Sequence, residues 1–246
     1  MQENASEVLT QRERNQRETW NAIHDAAYTF AREEGLAAAT AEAVVARAGV
    51  SRRTFFNYFP TKEDAVLGTR LPRLDEAVVE RLATAQEDEL TRVVHAFVSV
   101  LRTALTQETA VRRREIIAQH PSLRGRLAQL IGQVEELVRE AMQKAAEKER
   151  PPQGSPSREE DGVGDGESQE VLLLLSGVII KHAFTRYYEG QGAAGESGAE
   201  EGRAEESGAG MEAFLQESIA LFRHVIGRSS RGAAQHSAPR LAEEGR

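Results

Sequence analysis

The stretch from Thr40 to Leu67, TAEAVVARAGVSRRTFFNYFPTKEDAVL, confines this chain more than any other part of it. It reads as three short helices with the punctuation between them written out. Thr40 is a helix cap, and Glu42 stands in the first turn, where a carboxylate suits the helix dipole. Val44, Val45 and Ala48 supply apolar surface, and Gly49 ends this helix, since glycine best tolerates the left-handed backbone of a tight helix-to-helix turn. Val50 can plug the angle between the helices, and Ser51 caps the second one. There Phe55 and Phe59 lie four apart and can face a core together. Pro60 stops the helix, and Thr61 caps a third that opens at Lys62.

With Phe55 and Phe59 turned inward, Arg52, Arg53, Thr54, Phe56, Asn57 and Tyr58 lie on or beside the open face. That face is cationic and rich in hydrogen-bonding groups. Arginine can fork onto guanine O6 and N7, asparagine can pair with adenine N6 and N7, and Thr and Tyr can reach a phosphate or a thymine methyl. Lys62 sits where a backbone phosphate would pass. The residues expected to meet duplex DNA are therefore Thr40, Ser51, Arg52, Arg53, Thr54, Phe56, Asn57, Tyr58 and Lys62. Two short packed helices with a solvated basic edge is the plainer reading for either arginine alone. The ordered series of cap, glycine turn, cap, aromatic helix, proline stop and capped lysine favours DNA.

Residues from about Arg17 to Leu67 resemble the N-terminal domain of the TetR family of bacterial transcriptional regulators. The resemblance rests on WNAIHDAAYTFAREEGL, which is similar to that family's opening helix, and on AGVS and NYFPTKED at the family's spacing. It implies a three-helix domain whose third helix enters the major groove, acting as a dimer on a palindromic operator. Some residues depart from the family's habit. Phe56 stands where Tyr is usual, which removes a hydroxyl that could meet a phosphate, and Tyr58 stands where His is frequent. Arg53 replaces a frequent Gly and adds a positive charge. Val45 stands where Ala is common and Ala31 where Phe is common.

The formal charge of −8 looks unsuited to a DNA ligand until its distribution is considered. Residues 149–169 carry −4 and residues 189–212 carry −6, leaving +2 elsewhere, and Ser51 to Lys62 holds three positive charges and no acid. Salt screens exposed charges beyond about 8–10 Å, so acidic loops far from the basic face need not repel DNA. Arg12, Arg14 and Arg17 can extend the footprint as an arm, or belong to a frayed tail with interspersed Glu. There is no cysteine, hence no disulfide and no thiolate-bound zinc. The opening residues lack the apolar stretch of a signal peptide, and the longest apolar run, Val171 to Ile180, is short of the roughly 20 residues a spanning helix needs. The expectation is a cytoplasmic chain with no membrane partner, associated with the nucleoid when bound to DNA.

Helical periodicity accounts for the rest, and no segment alternates as a strand would. Trp20, Ile23, Ala27 and Phe30 form a core stripe on the first helix. The Leu71-Pro72 step suits a domain junction. Further helices are expected over Val93 to Leu105, Val111 to Ala118, Ser122 to about Glu147, Ser168 to Glu189 and Met211 to Gly227. The predicted fold is all-α: a three-helix helix-turn-helix domain over 17–70 and a helical-bundle regulatory and dimerisation domain over 71–228, about nine helices in all. Residues 1–16 form an arm and 229–246 a tail. Residues 150–168 and 190–210 are acidic loops too poor in apolar residues to order themselves. The last two helices are apolar on more than one stripe, which fits burial against both their own core and a partner. In the family such helices pair with their copies, which implies an interface of Leu172, Leu175, Ile179, Phe214, Ile219, Phe222 and Val225 in a homodimer.

Enzyme chemistry finds no support. The six histidines form no metal-binding spacing, there is no nucleophile elbow and no glycine-rich phosphate loop, and neither a catalytic residue nor a cofactor is expected. His95, His120 and His182 could meet inside a bundle, though a lone histidine is more often a hydrogen-bonded core or surface residue. By the resemblance, the helical body senses a small-molecule effector. The residues best placed by type and position to line a pocket are Phe97, Leu101, Ile117, His120, Leu127, Ile131, His182, Phe184 and Tyr187. The stretch RRREIIAQHPSLRGRLAQL is similar to the C-terminal domain of actinobacterial regulators proposed to sense acyl-CoA-like ligands, which implies an apolar or acyl effector. The leading expectation is a ligand-responsive repressor. An activator or effector-independent regulator of the same fold comes second, and a helical scaffold or enzyme third.

Overall fold

The computed structural model describes residues 10–149, 165–194 and 213–225. Among these there is no strand, and the fold is all-helical, with an N-terminal helix-turn-helix domain and a helical C-terminal part. The elements are α1 (Gln11–Glu33), α2 (Ala41–Ala48), α3 (Arg52–Tyr58), α4 (Lys62–Leu67), α5 (Glu76–Thr84), α6 (Glu89–Ala104), a 3-10 turn (Gln107–Thr109), α7 (Ala110–Gln119), α8 (Leu123–Glu149), α9 (Asp165–Ala194) and α10 (213–225). The expected loop residues 150–164 and 195–210, both ends of the helix expected over Met211 to Gly227, most of the arm and the tail lie outside the described residues, as do the side chains of Phe184 and Tyr187.

Four stretches differ from expectation. Residues 11–16, expected in an arm, belong to α1. Thr10 caps that helix, its hydroxyl accepting from the Glu13 amide at 3.3 Å while the Glu13 carboxylate accepts from the Thr10 amide at 2.8 Å. Arg12, Arg14 and Arg17 are thus exposed helix residues. Helix α5 was not anticipated; it is held by only two buried side chains, Val79 and Leu82, too few to stand out as a period. Helix α9 begins and ends inside segments whose glycine and acid content suggested loops. Its apolar centre nucleates a helix that extends outward at one hydrogen bond per residue.

By contacts the described chain forms two compact units. The first takes in residues up to Val78 together with Ser99–Ala141, and the second Val79–Val98 together with residues from Met142 onward. In the first unit Trp20, Ile23 and Ala27 of α1, Val44 of α2, Phe55 and Phe59 at α3, and Ala65 to Leu67 of α4 close on Ile116 of α7 and Leu123 at the start of α8. Phe55 and Phe59 are fully buried, each contributing about 1.5–3 kcal/mol by leaving water. In the second unit the core includes Val93, Phe97, Met142, Leu173, Ile179, Leu215 and Ile219. There Arg223 of α10 pairs with Asp88 and donates to the Thr91 hydroxyl at 2.6 Å, and His182 meets the Ser218 hydroxyl at 2.9 Å.

His24 lies in the middle of the first unit, 2 % exposed, its Nδ1 at 2.8 Å from the Ala65 carbonyl. Gly68 makes room for it. The glycine sits in the left-handed region at φ +61, and a Cβ there would stand 2.7 Å from the imidazole Cε1. Desolvation pulls the His24 pKa down, and the bond to the Ala65 carbonyl only partly offsets it. The folded state therefore binds this proton less readily than the unfolded chain. Stability contributed by His24 is present above the ordinary histidine pKa of about 6.5 and is lost as pH falls from there through the depressed folded value. The melting temperature should drop on acidification from about pH 6.5, and His24→Gln should flatten that part of the profile. Identical profiles in the two proteins would show that His24 is not the titrating group.

Candidate nucleic-acid interface

Three caps build the helix-turn-helix. The Thr40 hydroxyl accepts from the Ala43 amide at 3.2 Å, and Gly49 closes α2 in the left-handed conformation at φ 66. The Ser51 hydroxyl accepts from the Thr54 amide at 3.0 Å. The third cap is reciprocal: Thr61 Oγ1 accepts from the Asp64 amide at 3.2 Å while Asp64 Oδ2 accepts from the Thr61 amide at 3.1 Å. Val50 packs partly buried against the core between α2 and α3, filling the angle between them.

The outer face of α3 carries the nominated DNA contacts in unequal states. Arg53 and Asn57 are exposed and have no hydrogen-bond or ion-pair partner among the described residues. Arg52 is exposed but engaged, 3.2 Å from the Glu42 carboxylate and with its guanidinium 5.7 Å from the centre of the Phe56 ring. Phe56 is 46 % exposed and meets the buried Phe55 edge-on, so an apolar ring stands out from a polar face. Tyr58 is half-buried against the core, and the Thr54 hydroxyl lies 2.7 Å from that of Ser51. Thr40 and Ser51 have their side chains in caps. Lys62 donates from Nζ to the Leu36 carbonyl at 3.0 Å, bracing the turn after α1.

Sequence reasoning missed what holds this face in place. Asp64, 3 % exposed, accepts from Arg126 of α8 through both carboxylate oxygens, each at 2.8 Å. It also accepts from the Thr61 and Thr69 hydroxyls at 2.8 and 3.1 Å. Arg113 of α7 donates from Nε to the Leu67 carbonyl at the end of α4, 3.1 Å away. On α1, the Tyr28 hydroxyl donates to Glu115 at 2.6 Å, Asp25 pairs with Arg112, and the Ala31 carbonyl lies 2.8 Å from Nε2 of His120. Burial and the bond to Glu115 both raise the Tyr28 pKa. The polar residues of RRREIIAQHPSLRGR, read from sequence as part of a ligand-sensing type, here clamp α1 and α4. A cluster of arginines facing helix ends was the available signal, but sequence alone does not say which carbonyl or carboxylate each one meets.

The nominated pocket residues differ in burial and partners, each within its own unit. Phe97 and Leu101 are buried core, Ile117, Leu127 and Ile131 are half-buried, and His120 and His182 are bonded as described above. His95 lies 3.1 Å from Glu87. The three histidines therefore have separate partners. A cleft of about 360 Å³ lies against α1 and one of about 70 Å³ is bordered by Leu82, Val93 and Met142, and none of the nominated residues lines either of these.

A capped, glycine-turned helix pair that presents arginine, asparagine and an exposed ring on its second helix, with α1 and α4 packed behind, is a helix-turn-helix DNA-binding domain. Residues 23–67 match the family described as bacterial regulatory proteins, tetR family. The chain is a DNA-binding transcriptional regulator with the N-terminal domain of that family. No curated protein matches it.

Three outcomes follow from this geometry. Arg53→Ala and Asn57→Ala should relax sequence preference at one or two base positions, costing about 1–3 kcal/mol on the preferred duplex. Lys62→Ala should instead weaken all duplexes alike and reduce the salt slope by about one. Competition binding with preferred and scrambled duplexes separates these, and an equal loss on both from the first two variants would remove them as base readers. Arg126→Ala strips a buried carboxylate of its charge partner and should lower unfolding stability by about 3–5 kcal/mol in urea denaturation. A loss below about 1 kcal/mol, the range of a surface pair, would contradict that role.

Proposed function

We propose that the protein is a homodimeric repressor that reads a palindromic operator and releases it when a small apolar or acyl-type molecule binds its helical body, residues 71–228. It acts as a regulator and not as an enzyme, in the cytoplasm. No helix among the described residues is long and apolar enough to cross a membrane. The observation that carries the dimer is an uncovered apolar stripe. On α9, Val171, Leu174 and Val178 are each at least half exposed, at the three-and-four spacing of one helical face, and on α10 Leu221 and Val225 are 47 % and 54 % exposed. A second copy is the natural cover for such surface. The phase differs from expectation. Of the residues nominated from sequence, Val225 is exposed, Leu172, Leu175, Phe214 and Phe222 are half-buried, and Ile179 and Ile219 are buried in their own chain. Two copies of α3 held at a fixed separation would set the spacing of operator half-sites.

The effector reading rests on the similarity of residues 112–130 to acyl-type sensors. It requires only that the ligand favour one of two states of the dimer, loosening DNA by that difference in affinity. Selection from a random duplex library should return a palindrome bound with steep salt dependence, and Leu174→Lys with Val178→Lys should yield a monomer by light scattering with much weaker operator binding. An unchanged mass for the double variant would refute the interface. Failure of long-chain acyl-CoA and apolar drug panels to release the selected operator would refute the effector class.

A further inference from the structure

Between Thr40 and Tyr58 the chain carries three arginines and a single acid, Glu42. An exposed carboxylate beside a DNA-reading helix weakens the attraction for every phosphate it faces. Glu42 is the second residue of α2, where a negative charge suits the helix dipole, but its side chain does more than that. One carboxylate oxygen lies 3.2 Å from Nη1 of Arg52, ten residues on and in the next helix. A second contact limits where that guanidinium can go. Its carbon is 5.7 Å from the centre of the Phe56 ring, and Phe56 in turn meets the fully buried Phe55 edge-on, with centres 5.2 Å apart. The two helices that carry these groups are themselves fixed by the Thr40 and Ser51 caps and the left-handed turn at Gly49.

The ion pair engages Nη1 of Arg52. The other edge of the guanidinium, Nε with Nη2, has no partner among the described residues, and it is a complete fork for guanine O6 and N7. An exposed pair is worth little in water, where both side chains here are about two-thirds exposed, at 69 % for Arg52 and 66 % for Glu42. Against a duplex that excludes water the pair strengthens, and a side chain already confined gives up less rotamer freedom on binding. We propose that Glu42 is a positioning residue for DNA recognition: together with the Phe56 ring it holds Arg52 for a guanine edge and away from the phosphates. Glu42 touches no base in this role and acts through Arg52. Its charge lowers affinity for duplexes in general, and the restraint it puts on Arg52 raises the preference for one of them. The inference rests on the reading of α3 as the helix that meets the bases.

The full-length protein would first select a preferred duplex from a random library. Each guanine of that duplex is then replaced in turn by 7-deazaguanine, which lacks the N7 acceptor, and binding is followed by fluorescence anisotropy beside a scrambled duplex. At one guanine the replacement should weaken wild-type binding by about tenfold. In Glu42→Gln that penalty should shrink to about a third, while the scrambled duplex binds more tightly and the salt slope steepens by about one. Arg52→Lys keeps the charge and loses the fork, so the penalty should vanish, and adding Glu42→Gln to it should alter non-specific binding only. All three variants should melt with the wild type, since both side chains are exposed. A guanine penalty unchanged in Glu42→Gln overturns the positioning role and leaves α3 as the reading helix. An equal loss on preferred and scrambled duplexes would make Glu42 a structural residue alone, and insensitivity at every guanine would remove Arg52 as a guanine reader; either result overturns the proposal. Selection that returns no preferred duplex would instead bring down the assignment of α3, and this inference with it.

Discussion

The Asp64 carboxylate is the point on which the first unit hangs. It satisfies the start of α4 through Thr61, the chain beyond α4 through Thr69, and α8 through the fork of Arg126. A buried carboxylate would be untenable without such a set of donors, and with them it becomes a rigid joint. Helix α4 is only six residues long and would not hold itself. Its position, and with it the backing of α3, comes from this joint, from Arg113 on the Leu67 carbonyl and from burial of Ala65, Val66 and Leu67.

Local rules were readable from the sequence wherever a single residue type does a single job. Thr40, Ser51 and Thr61 cap, Gly49 turns left-handed, and Phe55 and Phe59 go inside, because each outcome depends on neighbours within four residues. What remained hidden depends on the fold as a whole. Helix α9 is apolar almost all round, so its composition announced burial without revealing which flank would remain open, and the exposed Val171, Leu174 and Val178 precede the nominated positions by one residue. The arginines of α7 and α8 gave no indication that the Leu67 carbonyl and the Asp25 and Asp64 carboxylates would be their partners. Lys62 was assigned to a phosphate from sequence, and in the structure its ammonium anchors the Leu36 carbonyl.

The recognition face combines freedom with restraint. Arg53 and Asn57 are open to a base edge, while Arg52 is shared between Glu42 and the Phe56 ring. An exposed pair of that kind holds by well under the worth of a bidentate base contact, so it biases the side chain without sequestering it. Phe56 adds an exposed apolar ring to a face that is otherwise polar.

The clamp formed by residues 112–126 also bears on how portable the DNA-reading head is. Residues 17–70 look self-contained in sequence, yet the Asp64 carboxylate and the Ala31 and Leu67 carbonyls take donors from Arg126, His120 and Arg113, and Ile116 and Leu123 complete the core. A hybrid regulator made by cutting at residue 70 would graft a head stripped of its counter-charges onto a foreign body. The transplantable piece includes the stretch 99–141, which means that operator choice and the start of the regulatory helices have to be exchanged as one cassette.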